Sequence, residues 1–240
     1  MTILEKITRI FFPPKCMCCD ELVDIEKDYP HIFQKGKKII KISPLRVCPV
    51  CKKPMDINAY IPHCKYCAGE NARFEYIISP LIYDDVCSEI IKKYKFGQRT
   101  EIANSLGRML WDRIKEYNLE TKFDIIIPAP SGKTNGINLR TEHTKDLCKV
   151  VSKLSGIPYK ELLFKKEGTV SQNKLSAKLR KTNLKDKIIY KGGKYDKVLL
   201  IDDVYTTGAT IDESAKMLKK AGCKKIYAGI ITVNINEEFE

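Results

Sequence analysis

The stretch "VLLIDDVYTTGAT", residues 198–210, contains an apolar run, two adjacent acids and a turn rich in hydroxyl groups. Four consecutive apolar residues are typical of a strand that is buried on both faces of a parallel sheet. Asp202 and Asp203 then fall at the carboxyl end of that strand, where parallel sheets bind their ligands. The stretch predicts an α/β fold with a ligand site at the end of a central strand.

The turn that follows has the composition of a phosphate cradle. Backbone amides at a helix N-terminus bind phosphate, Gly208 allows close approach, and the threonines supply hydroxyl groups. Carboxylates repel phosphate, but they accept hydrogen bonds from sugar hydroxyls and help to hold hydrated Mg²⁺. A phosphorylated ribose satisfies both halves of the stretch. The predicted binding residues are Asp202, Asp203, Thr206, Thr207, Gly208, Ala209 and Thr210.

The rest of the chain after residue 75 alternates between helical and strand patterns. Apolar residues recur at helical spacing in 100–117, 144–156 and 210–222, whereas 123–130 and 225–233 read as buried strands. Gly156 and Gly222 follow two of these helices as C-terminal caps. The alternation predicts a mainly parallel sheet that is covered by helices on both faces.

The region from 16 to 67 has little periodicity and contains three Cys-x-x-Cys pairs. Two such pairs can close a tetrahedral four-sulfur zinc site, and the proline-rich segment with Cys48, Cys51, Cys64 and Cys67 predicts a zinc ribbon. A closed four-sulfur site has a structural or partner-binding role. We therefore divide the chain into an N-terminal helix and zinc module, 1–74, and a larger domain, 75–240.

The first cysteine pair, Cys16 and Cys19, has no matching fourth pair. Cys18 and His31 are candidate substitutes. Alternatively the pair binds no metal, or it joins Cys48/Cys51 and leaves Cys64/Cys67 unmatched. The remaining cysteines, Cys87, Cys148 and Cys223, lie in apolar or helical surroundings and are expected to be buried small hydrophobic residues.

Charge and hydropathy limit the class of protein. The net charge of +13 favours anions such as nucleic acid or phosphorylated metabolites, although a lysine run such as 35–41 is also typical of a solvated edge. No apolar run approaches the roughly 20 residues of a membrane span. With cysteines in metal-type spacing and no secretory signal, we expect a cytoplasmic protein.

Longer segments carry a family resemblance. The run "LLIDDVYTTGAT" resembles the phosphoribosyl pyrophosphate signature of type I phosphoribosyltransferases, and 90–110 and 171–188 resemble the ComF/GntX family. In that family a cysteine-rich zinc module precedes a phosphoribosyltransferase domain. The resemblance implies binding of phosphoribosyl pyrophosphate with Mg²⁺ and a role in competence and DNA uptake, with other DNA-uptake proteins as candidate partners.

The resemblance also suggests roles in catalysis. Lys133 and Arg140 would neutralise the departing pyrophosphate, while Asp202 and Asp203 would favour a cationic ribose by their charge. Arg180 is either a ligand contact or a structural residue. No general base is assigned, since Asp203 and the acceptor itself both qualify.

The sequence departs from the family pattern in two places, one relevant to zinc binding and one relevant to catalysis. The chain has three cysteine pairs where the family usually has four, and Arg140 is followed by "TEHT" in place of an Arg-Gly-Phe-Asn-Gln run. The first departure makes a second zinc site doubtful, and the second predicts weakened catalysis.

A binding module without catalysis is the rival class. Such a module would sense a ribose phosphate or grip single-stranded DNA along lysine-rich segments. Tyr94 and Phe96 alternate with lysines and could stack on bases, or they could belong in part to the core. The basic residues of this track are 35–41, Lys92, Lys93, Lys95, Lys178, Arg180 and Lys181.

Overall fold

The computed structural model describes residues 13, 15–22, 40–43, 46–48, 54–55, 73–96, 100–119, 123–130, 139–166 and 187–233, without the side chains of 46–47, 54–55, 100–101 and 139–142. The elements in chain order are β1 (Arg46–Val47), β2 (Pro54–Met55), β3 (Tyr76–Ile78), β4 (Leu81–Ile82), α1 (Asp85–Phe96), α2 (Thr100–Glu116), β5 (Ile125–Pro128), α3 (Leu139–Ser155), β6 (Leu163–Lys165), β7 (Ile188–Tyr190), β8 (Lys197–Tyr205), α4 (Ala209–Lys220) and β9 (Lys225–Val233).

The main sheet is parallel at its centre. Strands β3, β9, β8 and β5 lie side by side in that order and all run in the same direction, and β4 also pairs with β9. Strand β8, which carries the two adjacent acids, therefore lies between two parallel neighbours. The predicted α/β class with a mainly parallel sheet is confirmed, and so is the central position of this strand.

Side chains of β8 alternate between two cores because successive residues of a strand point to opposite faces. Leu199 and Ile201 pack in the core formed with α1, α2 and α3. Val198 and Leu200 pack in the core formed with α4 and with the small antiparallel sheet of β6 and β7. All four side chains are fully buried, which explains why the sequence shows an unbroken apolar run instead of an alternating one.

Helix α2 follows its predicted apolar face. Ile102, Leu106, Leu110 and Ile114 are fully buried, at the helical spacing that the sequence shows. Within the described ranges no helix combines the length and apolarity that crossing a membrane requires.

Helices α2 and α3 approach closely at Gly107. A Cβ atom at this position would lie 2.6 Å from Cγ1 of Val150 on α3. That separation is shorter than carbon atoms tolerate without a shift, so the closeness of the two helices depends on glycine here.

The N-terminal region contributes to the same sheet. β1 pairs antiparallel with β3, and β2 pairs antiparallel with β1. Main-chain hydrogen bonds between β1 and β3 therefore connect the part of the chain before the predicted boundary at residues 74 and 75 with the part after it. The three cysteines predicted to be buried, Cys87, Cys148 and Cys223, are 2%, 0% and 3% exposed, which confirms that prediction.

Candidate functional site

Asp202 and Asp203 lie near the carboxyl end of β8, which continues past both acids to Tyr205. The strand therefore ends two residues beyond the acids, because β8 remains paired with β9 as far as Val233. The backbone amide of Asp203 donates a hydrogen bond to Oδ1 of Asp202 over 2.9 Å. We refer to these two consecutive acids near the carboxyl end of β8 as the acidic pair.

The environment of Asp202 disfavours its charged form. Burial raises the pKa of Asp202 above its ordinary value, and the adjacent charge of Asp203 raises it further. The hydrogen bond from the Asp203 amide and the ammonium groups of Lys95 and Lys165 lower the pKa but offset only part of the increase. Asp202 is thus a half-buried carboxylate whose negative charge is only partly compensated by these groups.

Asp203 has a direct cationic partner. Nζ of Lys95, near the C-terminal end of α1, lies 2.5 Å from Oδ2 of Asp203, and the two side chains are only 24% and 15% exposed. The sequence suggested Lys95 as part of a nucleic-acid track, whereas the structure brings it into contact with a predicted site residue. The two neighbouring acids therefore differ, since among the described residues Lys95 forms an ion pair with Asp203 but no lysine or arginine forms one with Asp202.

Lys165 is a site residue that the sequence analysis did not single out. It is the last residue of β6 and is half-buried, and burial lowers its pKa while the charge of Asp202 opposes that effect. A signal for it existed, because alternation along β6 puts Lys165 on the same side as buried Leu163. A lysine on the buried side of a strand is uncommon and points to a functional role.

The turn after β8 begins helix α4 with a glycine. Gly208 has φ 72° and is the N-terminal cap, and no side chain caps the helix. A Cβ atom at this position would lie 2.3 Å from the hydroxyl of buried Tyr205, so the backbone conformation and the packing both require glycine. Oγ1 of Thr207 accepts a hydrogen bond of 3.4 Å from the amide of Ala209.

The first turn of α4 is left electrostatically suited to an anion. A helix N-terminus carries a partial positive charge and unpaired amides, and an acid nearby would oppose binding of phosphate. The acid in this turn, Asp212, forms an ion pair of 2.5 Å with Arg73, which reduces that opposition. Ala209 and Thr210, both half-buried, complete the predicted cradle in the first turn of the helix.

Helix α1 is anchored beside the acidic pair. The Tyr94 hydroxyl donates a hydrogen bond to the backbone carbonyl of His143 on α3, and the two rings lie 5.0 Å apart. Tyr94 is 2% exposed and belongs to the core, whereas Phe96 is 67% exposed. Among the described residues Nε2 of His143 is buried without a hydrogen-bond partner. Tyr94 thus fixes the end of the helix that presents Lys95 to Asp203.

The three lysines predicted to form a track on α1 are all engaged by acids. Besides Lys95, Lys92 pairs with Glu89 over 2.6 Å and Lys93 pairs with Asp20 over 2.5 Å. Their positive charge is therefore compensated within the protein.

Several predicted residues lie outside the described residues. These are Lys133, Arg180, Cys51, Cys64 and Cys67, together with the segments 35–39 and 171–186. Arg140 lies in the first turn of α3, and only its backbone is described. Their predicted roles stay predictions.

Four cysteines of the predicted zinc module, Cys16, Cys18, Cys19 and Cys48, are among the described residues. Residues 17–19 form a turn closed by hydrogen bonds from the Cys16 amide to Glu21 and from the Asp20 amide to Cys16, and the Cys18 amide donates to Sγ of Cys16 over 3.4 Å. Cys48 is fully buried at the end of β1. In the described part of the chain no three His, Cys, Asp or Glu side chains form a group that could hold a metal ion.

The acidic pair fits a magnesium ion. Mg²⁺ is bound through one or two carboxylates together with substrate phosphates and water. Two adjacent carboxylates, one of them half-buried with a raised pKa, match that donor set because a divalent cation would compensate their charge. Beside them, the uncapped helix N-terminus would receive a phosphate group.

Known proteins similar to the chain are named for competence and DNA use. Competence protein F of Haemophilus influenzae is 27% identical over 90% of this chain and 95% of its own length. DNA utilization protein YhgH of Escherichia coli K12 is 27% identical over 75% and 81%, and Competence protein ComFC of Streptococcus pneumoniae is 28% identical over 75% and 77%. No protein-family model matches the chain.

Among solved structures, the chain is distantly similar to phosphoribosyltransferases. A glutamine phosphoribosylpyrophosphate amidotransferase from B. subtilis matches 58% of the chain and 30% of its own length, with 18% identity and a TM-score of 0.39. A purine phosphoribosyltransferase from Pyrococcus horikoshii matches 57% and 91%, with 20% identity and a TM-score of 0.31. Scores this low add nothing to the argument about activity.

The similarity in sequence extends through both the cysteine-rich region and the α/β domain, since it spans nine-tenths of the chain. The resemblance to ComF-type proteins that the sequence predicts is thereby confirmed.

Proposed function

We propose that the chain binds phosphoribosyl pyrophosphate together with Mg²⁺ at the carboxyl end of β8. The observation that carries the proposal is one juxtaposition: an incompletely compensated acidic pair, Asp202 and Asp203, next to a helix that begins at left-handed Gly208 without a side-chain cap. An acidic pair alone suits a cation, and an uncapped helix suits an anion. A phosphorylated sugar with its metal ion requires both.

The two halves of the site have different tasks in this proposal. The turn from Thr206 to Thr210 binds the 5′-phosphate of the ribose through backbone amides and hydroxyl groups. Asp202 and Asp203 accept hydrogen bonds from the ribose hydroxyls and hold the metal with its water. Bound Mg²⁺ supplies positive charge to the pyrophosphate group.

Transfer of the ribose is proposed as the reaction of this site. A nucleophilic atom of the acceptor attacks C1′ of the ribose, the bond from C1′ to the pyrophosphate oxygen breaks, and pyrophosphate leaves with its electron pair. The proton of the acceptor passes to Asp203 or to a group of the acceptor itself. The negative charge of Asp202 and Asp203 favours the cationic ribose in the transition state, while Lys133 and Arg140 favour the departing anion. The cradle keeps the ribose oriented during the step.

A role in DNA uptake or DNA use is proposed because the similar proteins are named competence and DNA utilization proteins. The zinc ribbon of Cys48, Cys51, Cys64 and Cys67, with Cys16 and Cys19 beside it, is proposed to stabilise the N-terminal region or to bind other DNA-uptake proteins. The cytoplasm is the proposed location of the protein.

Calorimetry of phosphoribosyl pyrophosphate binding, with and without Mg²⁺, tests the ligand. We expect the Asp202→Asn/Asp203→Asn variant to bind at least about 100-fold more weakly, because two charged contacts are lost. Asp112→Asn/Glu116→Gln removes the same charge from ion-paired acids of α2 and serves as the control. Equal binding by the wild type and the site variant, or no binding by the folded wild type, would contradict the proposal.

Single-stranded DNA is a second candidate ligand. The net charge of +13 and the exposed ring of Phe96 at the end of α1 favour it, whereas the ion pairs of Lys92, Lys93 and Lys95 weigh against α1 as the main contact. Binding of an oligonucleotide should weaken steeply with salt and should survive loss of both aspartates. Binding that is insensitive to salt would exclude a phosphate-backbone contact.

A further inference from the structure

The contact between Lys95 and Asp203 has a consequence for ligand binding. Asp203 is one of two acids proposed to hold Mg²⁺ and ribose hydroxyl groups, yet its Oδ2 lies 2.5 Å from Nζ of Lys95. Both side chains are largely removed from solvent, at 24% and 15% exposure. An ammonium and a hydrated divalent cation compete for the same carboxylate oxygen, because both require its negative charge.

The position of Lys95 is fixed by its neighbour in the helix. Tyr94 is 2% exposed and is anchored to the His143 carbonyl of α3, so the last turn of α1 stays beside β8. The Lys95 side chain itself is long and has rotatable bonds, and its ammonium can move by several ångströms while the helix stays in place. The helix thus holds a mobile positive charge next to the proposed metal and pyrophosphate positions.

The charges around Asp202 and Asp203 favour a change of ion-pair partner for Lys95 when the ligand binds. Without ligand, the described charged groups around the acids are two carboxylates, Asp202 and Asp203, and two ammonium groups, Lys95 and Lys165. A divalent cation would add two positive charges at the acids and leave Lys95 without its partner. The pyrophosphate that accompanies the cation carries several negative charges, and these would provide a new partner.

We propose that Lys95 exchanges partners when the ligand binds: it leaves Asp203 to the incoming Mg²⁺ and binds the pyrophosphate oxygens instead. This inference rests on the proposed function, since it uses the same ligand and metal. It assigns to Lys95 a ligand-binding role of its own. The Lys95–Asp203 pair is then a feature of the protein without ligand, in which it prevents the metal from binding strongly before the phosphorylated ligand arrives.

A partner exchange predicts opposite effects of one substitution on two affinities. Lys95→Met keeps much of the side-chain length and removes the charge. Without the competing ammonium, the affinity for Mn²⁺ alone, followed by its EPR signal in place of Mg²⁺, should rise about threefold or more. The affinity for phosphoribosyl pyrophosphate with Mg²⁺, measured by calorimetry, should fall about tenfold because a charged phosphate contact is lost.

Two further variants complete the test. Lys92→Met removes the same charge from an exposed position of the same helix, where the lysine pairs with Glu89, and should leave both affinities unchanged within about twofold. Lys95→Arg keeps the charge and should retain most of the affinity for the phosphorylated ligand. Circular dichroism and thermal melts identify a variant that has failed to fold, and Lys95→Gln, which also removes the charge, then replaces Lys95→Met with the same two expected effects.

Any other combination of changes in the two affinities contradicts the partner exchange. If both affinities fall in Lys95→Met, the residue is structural; if both rise, it only blocks the site; if Mn²⁺ affinity is unchanged, no competition exists. These outcomes leave the proposed function intact as long as the wild type binds phosphoribosyl pyrophosphate. If the folded wild type binds Mn²⁺ but not phosphoribosyl pyrophosphate, the proposed function fails and the partner exchange fails with it.

Discussion

The site at the end of β8 and the cysteine-rich region differ in how their functional groups are brought together. The site residues between Asp202 and Thr210 are consecutive in sequence, and one strand, one turn and one helix position them. The predicted zinc ligands are spread over more than fifty residues, from Cys16 to Cys67, so they are far apart in the chain. Secondary structure alone positions the groups of a site that is local in sequence. Ligands that are spread along the chain are brought together only by the tertiary fold or by the metal ion that they bind.

The largest effect is expected in the cysteine-rich region. Cys48→Ser/Cys51→Ser should lose about one equivalent of zinc and lower the stability of the N-terminal region by several kcal/mol, because structural zinc contributes folding free energy directly. Elemental analysis and thermal melts measure both effects. Cys148→Ala changes a fully buried cysteine outside the three pairs and should keep the zinc content of the wild type. Unchanged zinc in the double variant would contradict the predicted ligand set.

The second largest effect is expected at Gly208, in the turn that follows β8. Gly208→Ala combines a positive φ with a Cβ atom 2.3 Å from the Tyr205 hydroxyl, and we expect a loss of about 2–4 kcal/mol in the free energy of unfolding together with loss of ligand binding. Gly156→Ala has φ +75° but no atom within 4 Å of the added carbon, so it measures the backbone cost alone. Equal destabilisation in both variants would show that the contact with Tyr205 is unimportant.

The two acids of the site should respond oppositely to neutralisation. Asp202→Asn should raise the free energy of unfolding at pH 8 by about 1–2 kcal/mol, because burial and Asp203 raise the pKa of Asp202 in the folded state. Because the folded pKa is raised, the cost to stability is complete above the folded pKa, decreases as the pH falls below it, and is absent below the unfolded pKa. Asp203→Asn should instead lower stability, since Lys95 loses its partner.

Urea titrations of both variants at pH 8 and pH 5 measure this difference. The gain from Asp202→Asn should shrink at pH 5, where the wild-type carboxyl binds a proton in the folded state. A gain that is constant across this range would show that Asp202 is not held with a raised pKa.

The smallest effect is expected at the contact between the two regions. Asp20, beside the cysteine turn, pairs with Lys93 of α1, and the two side chains are 52% and 27% exposed. Asp20→Asn should cost less than about 1 kcal/mol because exposed ion pairs are screened by solvent. Chemical denaturation measures the change, and Mn²⁺ affinity should stay at the wild-type value. A change in Mn²⁺ affinity would show that the cysteine turn and the site are coupled through α1.

The same contrast explains how much the sequence could predict. The buried strand, the acids near its end, the glycine turn and the apolar faces of α2 and α3 are local patterns, and the structure has all of them. The ion pair of Lys95 with Asp203 and the electrostatic interaction of Lys165 with Asp202 join residues far apart in the chain, so no spacing rule identifies them. The pairing of β1 with β3 is also long-range, and β1 is too short to give a periodic signal.

The close approach of α2 and α3 at Gly107 sets a condition on how the sequence can diverge. An added methyl group at this position meets the branched side chain of Val150, and a smaller residue at 150 would make room for it. The two positions should therefore vary together among related proteins: a larger residue at 107 is expected only where position 150 is alanine or glycine. An alignment of many relatives would reveal this correlated substitution, and independent variation at the two positions would contradict it.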